Sequence, residues 1–181
     1  MTNQLSFSEC LTAFHSRLKI AYHYFQEQKE IAKQRDSDGG KIYHQYYSFP
    51  LIKKAYFEQS ILTLCTLFEK ASPVSLFQLR ETLGERGCLI PTFDDYFDDF
   101  DRIFEGVKTI RDKSIAHLEN RDTDQFYVEA NITYADIDSL FLALLDYLKA
   151  LVNTADIQLG YELTFSYCPD YGINQIYAKL A

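Results

Sequence analysis

Apolar residues recur at helical spacing along most of the chain. Phe7, Leu11, Phe14, Leu18, Ala21, Tyr22 and Phe25 follow one another three or four residues apart with no Gly or Pro between them, which predicts a long amphipathic helix over about 6–35. Asp36, Ser37, Asp38, Gly39 and Gly40 end it. Residues 41–49, with Tyr43, His44, Tyr46 and Tyr47, form an aromatic connector whose pattern fits either a helix or an irregular segment. Pro50 suits the first turn of a second helix over 51–71, with Leu51, Ala55, Ile61, Leu62, Cys65 and Phe68 as its expected buried set. Ser72 and Pro73 read as a stop and restart, with Ser72 capping a shorter helix that Gly84 and Gly87 close.

Thr92 is the expected cap of a third long helix running to His117. Phe93, Phe97, Phe100, Phe104 and Val107 mark its packing side, and Asp94, Asp95, Asp98, Asp101, Arg102 and Glu105 its opposite side. A polar loop over 118–125 follows. Thr133 and Asp136 then have capping-box spacing ahead of a last long helix with the stripe Ile137, Leu140, Phe141, Leu144, Leu145, Leu148 and Leu151. Beyond Gly160 the pattern loosens, with a strand-like alternation at 161–165 and a turn at 169–172. The expected fold is therefore all-α, an up-and-down-type bundle of four to five helices in a single domain spanning 1–181, with 160–181 a loosely structured tail.

Composition narrows the function. With 18 basic and 26 acidic residues the net charge is −8, so nucleic-acid binding would have to be local rather than a broad basic face. Cys10, Cys65, Cys88 and Cys168 lack paired short spacing and read as buried thiols of a reducing cytoplasm. No segment is apolar for long enough to span a membrane, and the N-terminus lacks the regions of a signal peptide. No Gly-rich phosphate loop, Walker motif or Gly-x-Ser-x-Gly elbow occurs. The acidic run 94–105 invites a metal reading, yet the Glu-x-x-His pairing of di-iron bundles is missing and a solvated face is the better account. No metal or cofactor is expected.

The packing stripe of the third helix turns polar at its end, where Arg111, Ser114 and His117 fall on one side of the wheel at about 100° per residue. A guanidinium there needs either an acceptor or a water-filled cleft. An ion pair with Asp112, Glu105 or a carboxylate of another helix would supply the first. A cationic Arg beside a His titrating near neutrality would suit phosphate binding and proton transfer. Spacing alone does not decide, because Arg17 and His23 on the first helix repeat it.

The wording Arg111-Asp-Lys-Ser-Ile-Ala-His117 at the end of a helix resembles the Arg, polar residue, spacer, His motif of the HEPN superfamily, most closely its abortive-infection AbiU-type branch. The resemblance implies a small helical domain acting as a metal-independent endoribonuclease of a phage-defence or toxin-type system. Arg111 and His117 would be catalytic, Asp112 and Ser114 would orient or bind substrate, and a homodimer would bring two motifs together. The implied partners are an RNA substrate, a second copy, and an antitoxin or defence-system protein. Members modified by a nucleotidyltransferase antitoxin carry Tyr two residues after the His, where this chain has Glu119, so that modification is not implied. The alternative function is a non-catalytic HEPN-like module that binds nucleotide, RNA or protein.

Overall fold

The computed structural model describes residues 5–37, 39–116, 123–169 and 172–180. In chain order these hold α1 (Phe7–Ser37), α2 (Lys41–Gln45), α3 (Ser48–Leu67), α4 (Leu76–Gly84), α5 (Phe100–Arg111), a π-helical turn (Asp112–Ala116), α6 (Thr123–Glu129), α7 (Tyr134–Ala155) and α8 (Ile173–Leu180). The fold is all-α, and no strand occurs among the described residues.

Four long helices carry it. α1 packs along α3, α3 against α5, α5 against α7, and α7 returns to α1, so that the bundle closes on itself in chain order. The core between them is built from the stripes that the periodicity marks. Phe7, Leu11, Phe14, Leu18 and Phe25 of α1 meet Ile137, Leu140, Phe141, Leu144 and Leu148 of α7, all fully buried. α7 begins as its sequence says it should. The Thr133 hydroxyl accepts from the Asp136 backbone N–H at 3.2 Å, and the Asp136 carboxylate accepts from the Thr133 backbone N–H at 2.7 Å. Arg102 of α5 reaches the same Asp136 at 2.9 Å and the Asn131 carbonyl at 3.2 Å, tying the start of α5 to the start of α7. Gly106 brings α5 closer still, since a Cβ there would lie 2.5 Å from Ile132 Cγ2.

The structure departs from the pattern in several places, each with a packing reason. The third long helix does not start at Thr92. Residues 92–99 form turns, with the Thr92 hydroxyl on Asp95, and α5 begins only at Phe100. Two helical turns would hold Phe93 and Phe100 about 10 Å apart, whereas their rings meet edge-on at 4.9 Å. The chain folds back so that Phe93 also reaches Tyr147 of α7 at 5.2 Å. α3 presents Phe49, Lys53, Phe57, Ser60, Ile61, Leu64 and Cys65 to the interior, while Leu51 and Ala55, expected inside, are exposed. α4 starts later than expected and is capped by Ser75, whose hydroxyl accepts from the Gln78 N–H at 3.2 Å, rather than by Ser72. α6 occupies part of the expected polar loop, and the aromatic connector contributes α2, with Tyr43 buried.

The tail holds no strand at 161–165 and ends in a helix. α8 docks Ile173 and Tyr177 into a second small core with Ile31, Tyr43 and Phe49. Its first N–H, that of Ile173, donates to the buried Glu27 carboxylate at 3.0 Å, and Gly172 at φ 91° leaves room for that carboxylate where a Cβ would strike it. Of the cysteines, Cys10 and Cys65 are buried as expected, but Cys88 is half-buried and Cys168 exposed; all four are free. No helix among the described residues is long and apolar enough to cross a membrane.

Candidate functional site

Arg111 is the last residue of α5, at the end of a stripe in which Ile103, Val107 and Ile110 are buried. Its side chain is 31% exposed, so the guanidinium stands at the rim of the bundle rather than within it. Nε donates to Asp112 Oδ1 at 2.8 Å, Nη2 lies 2.8 Å from the same oxygen, and Nη1 lies 3.7 Å from Glu69 just beyond α3. These partners give the ion pair that the sequence allowed, with Asp112 as the neighbouring carboxylate and Glu69 as the one from another element. The Asp112 hydrogen bond pushes the guanidinium further up from its already high range, against the opposing effect of burial. Arg111 is thus a permanent cation with one edge toward solvent.

Beneath it lies Cys65 of α3, whose thiol burial pushes up to about 11, a shift that the Arg111 charge opposes. A thiol held so high is neutral at physiological pH and serves here as packing.

The helix widens directly after Arg111. Asp112–Ala116 form a π-helical turn, in which i→i+5 bonding advances each residue by a smaller rotation than in an α-helix. Asp112, Lys113 and Ser114 therefore leave the phase that a continuous wheel assigns. Ser114, expected to face substrate with Arg111, is fully buried, and its hydroxyl donates to the Ile110 carbonyl at 2.7 Å. That back-bond commits the hydroxyl within the helix. Asp112 is exposed and bound to Arg111. Lys113 reaches Glu129 of α6 at 2.8 Å, fastening the turn from outside. His117 lies outside the described residues.

A second charged constellation stands apart from the motif. Lys53 of α3 is 1% exposed, and its ammonium meets Asp124 Oδ1 at 2.9 Å. Arg35 of α1 reaches Asp124 Oδ2 at 2.9 Å, and the Tyr134 hydroxyl donates to Asp124 Oδ1 at 2.7 Å. Burial pushes the Asp124 carboxyl up, but the Tyr134 hydroxyl, the Lys53 charge and bonds from Lys53 and Arg35 outweigh it, so the net shift is downward. Asp124 stands in the first turn of α6. The cluster therefore joins α1, α3, α6 and α7. The signal was present: Phe49, Lys53 and Phe57 fall four residues apart, placing a lysine in a buried stripe.

The repeated spacing on α1 gives no such site. Arg17 and His23 are exposed on the outer face, and His23 meets Glu27 at 3.7 Å and the edge of Tyr167. Nor do the carboxylates of 94–105 gather, and among the described residues no group of three or more His, Cys, Asp or Glu side chains could hold a metal ion.

Comparison with known proteins identifies the family. No curated protein and no solved structure matches the chain significantly. The family model HEPN_AbiU2, described as AbiU2, matches residues 6–156, from the start of α1 to the end of α7 and across the whole Arg111 segment. The chain belongs to the AbiU2 family of the HEPN superfamily, and its broad function is accordingly of the abortive-infection, HEPN type.

Proposed function

We propose that the protein is a metal-independent endoribonuclease of a phage-defence or toxin-type system, acting through Arg111 and His117. The observation that carries this reading is the placement of Arg111. A cation at the end of an apolar stripe, partly open to solvent and followed at once by a π-helical turn, suits the capture of an anion.

In this reading Arg111 exchanges its contacts with Asp112 and Glu69 for the scissile phosphate and stabilises the charge that develops on it. His117 removes the proton of the ribose 2′-hydroxyl, whose oxygen attacks phosphorus. The bond from phosphorus to the 5′ oxygen breaks, leaving a 2′,3′-cyclic phosphate, and a second imidazole protonates the departing oxygen. One histidine does not serve both ends of an in-line displacement in one step, so the active species is a homodimer with a motif from each copy. Asp112 orients the guanidinium. Ser114 acts through the helix, holding the Ile110 carbonyl, rather than on substrate.

A second reading is a non-catalytic module that binds nucleotide, RNA or a partner protein. The net charge of −8 and the pairing of Arg111 with two carboxylates favour it. Incubation of the full chain with total cellular RNA in EDTA separates the two. The nuclease reading expects cleavage that persists without divalent ions and stops when the 2′-hydroxyls are methylated; intact RNA under both conditions would leave the binding reading. Light scattering should give twice the 21.1 kDa chain mass, and a strict monomer at micromolar concentration would remove the two-histidine mechanism.

A further inference from the structure

A cavity of about 370 Å³ opens beside α5, lined by Phe68, Phe77, Phe93, Phe100 and Phe104 with Arg80 among them. That volume lies in the lower part of the range of small-ligand pockets, about 300 to 1,000 Å³. Phe77 is 42% exposed, and Phe100 and Phe104 are partly so, which puts these rings at the mouth. Two of these rings carry cations: Lys70 Nζ lies 5.3 Å from the Phe77 centroid and Lys108 Nζ 4.6 Å from that of Phe104.

The cavity and Arg111 share two walls. Phe104, Lys108 and Arg111 stand at i, i+4 and i+7 of α5, on one face and within about 10 Å. The three residues 68–70 contact both the cavity and Arg111. Phe68 packs on Phe104 at 4.6 Å, Glu69 meets Arg111 at 3.7 Å, and Lys70 covers Phe77. Carboxylates are interspersed, with Glu105 on Lys108 at 2.5 Å and Asp94 at the cavity wall. The neighbourhood thus holds Arg80, Lys70, Lys108 and Arg111, matched by Glu69, Asp94, Glu105 and Asp112, so the cations meet a phosphate by exchanging carboxylate partners for it. Aromatic platforms alternating with cations are what single-stranded nucleic acid requires, since bases stack on rings while phosphates meet the charges.

We propose that this cavity is a base-binding subsite, which seats an unpaired RNA base near the phosphate held by Arg111. The base stacks against Phe77 and Phe104, and Lys108 and Lys70 turn to the intervening phosphates. The subsite rests on the reading of Arg111 as a phosphate ligand. It makes the preferred substrate single-stranded, because a paired base would first have to give up its pairing and stacking, at a cost of a few kcal/mol.

The chain contains no tryptophan, so Phe77→Trp places a sole indole at the mouth of the cavity. Short mixed-sequence single-stranded RNA, adenosine monophosphate and ribose 5-phosphate are the probes, with RNA binding followed separately by anisotropy. The proposal expects RNA and adenosine monophosphate to quench the indole and ribose 5-phosphate to leave it unchanged. Phe77→Ala should weaken RNA binding about tenfold, the loss of one stacked base, with its helical circular dichroism unchanged. RNA that binds while the indole stays unchanged would overturn the subsite and leave Arg111 as phosphate ligand. No RNA binding by the native chain would remove both. An indole that responds to protein concentration without RNA would overturn the subsite in favour of a second copy.

Discussion

Lys53 and Arg111 are both cations set into apolar helix stripes, and their surroundings differ in burial and in how firmly their partners are held. Lys53 is 1% exposed and meets Asp124, itself bound by Arg35 and Tyr134. Arg111 is 31% exposed, and its partners Asp112 and Glu69 are themselves half open to solvent. A buried charge that loses its partner cannot return to water, so the Lys53 cluster is bound to the fold. An exposed pair is worth little to stability, and its contacts can be given up to an incoming anion. Burial of the partners, more than identity of the cation, distinguishes a fastening from a binding group.

The comparison is broken most forcefully at Lys53. Lys53→Ala removes a fully buried side chain along with one of the partners of Asp124, and the cavity it leaves should lower stability by about 2 to 5 kcal/mol, read from the midpoint of a urea titration. A variant as stable as the native chain would mean that the cluster does not hold α3 to α6. Gly106→Ala tests the neighbouring contact that seats α5. The new methyl would meet Ile132 Cγ2 at 2.5 Å and the Ala130 carbonyl at 3.2 Å, an overpacking expected to cost about 1 to 3 kcal/mol by the same titration.

Acid sharpens the comparison. Asp124 has a folded-state pKa below its ordinary value, so its contribution is present above the unfolded pKa of about 3.9 and is lost as pH falls from there through the folded value. Native protein should therefore lose stability on acidification more steeply than Asp124→Asn, as followed by thermal melting from neutral pH downward; parallel profiles would contradict the network. The smallest stability effect belongs to Glu69→Gln. Its oxygen is 3.7 Å from Arg111 at an exposed site, so the melting midpoint should move by the equivalent of less than about 0.5 kcal/mol.

What the sequence revealed depended on contrast between helix faces. α1 and α7 have clear stripes, and Thr133 with Asp136 marks the start of α7 to the residue. α3 is apolar nearly all round in its C-terminal half, so no phase stands out. In its N-terminal half Leu51 and Ala55 are apolar, yet Lys53, between Phe49 and Phe57, is the residue that turns inward. At 92–99 the local signals are sound for a helix start, with Thr92 ahead of two aspartates. They lose to a long-range demand, the insertion of Phe93 between Phe100 and Tyr147. α8 was hidden because its anchor is tertiary: Glu27, 146 positions earlier in the chain, accepts from its first N–H.

The Arg111 segment was legible as wording and incompletely legible as geometry. Family membership follows from the match across residues 6–156, and the ion pair with Asp112 was among the arrangements the spacing allowed. The π-helical turn was not foreseeable from a wheel of constant pitch, and within it the Ser114 hydroxyl is buried on the Ile110 carbonyl. The aromatic cavity was invisible because its walls come from three separate segments, 68–80, 92–94 and 100–104.

The central claim is that Arg111 acts on RNA while Lys53 acts on the fold, and one paired measurement tests it. Arg111→Ala and Lys53→Met are each melted and each run against RNA in EDTA, at a temperature where both remain folded. The account predicts that Arg111→Ala loses less than about 1 kcal/mol of stability and all detectable cleavage, whereas Lys53→Met is the less stable protein and still cleaves. A destabilised Arg111→Ala that still cleaves RNA would contradict it.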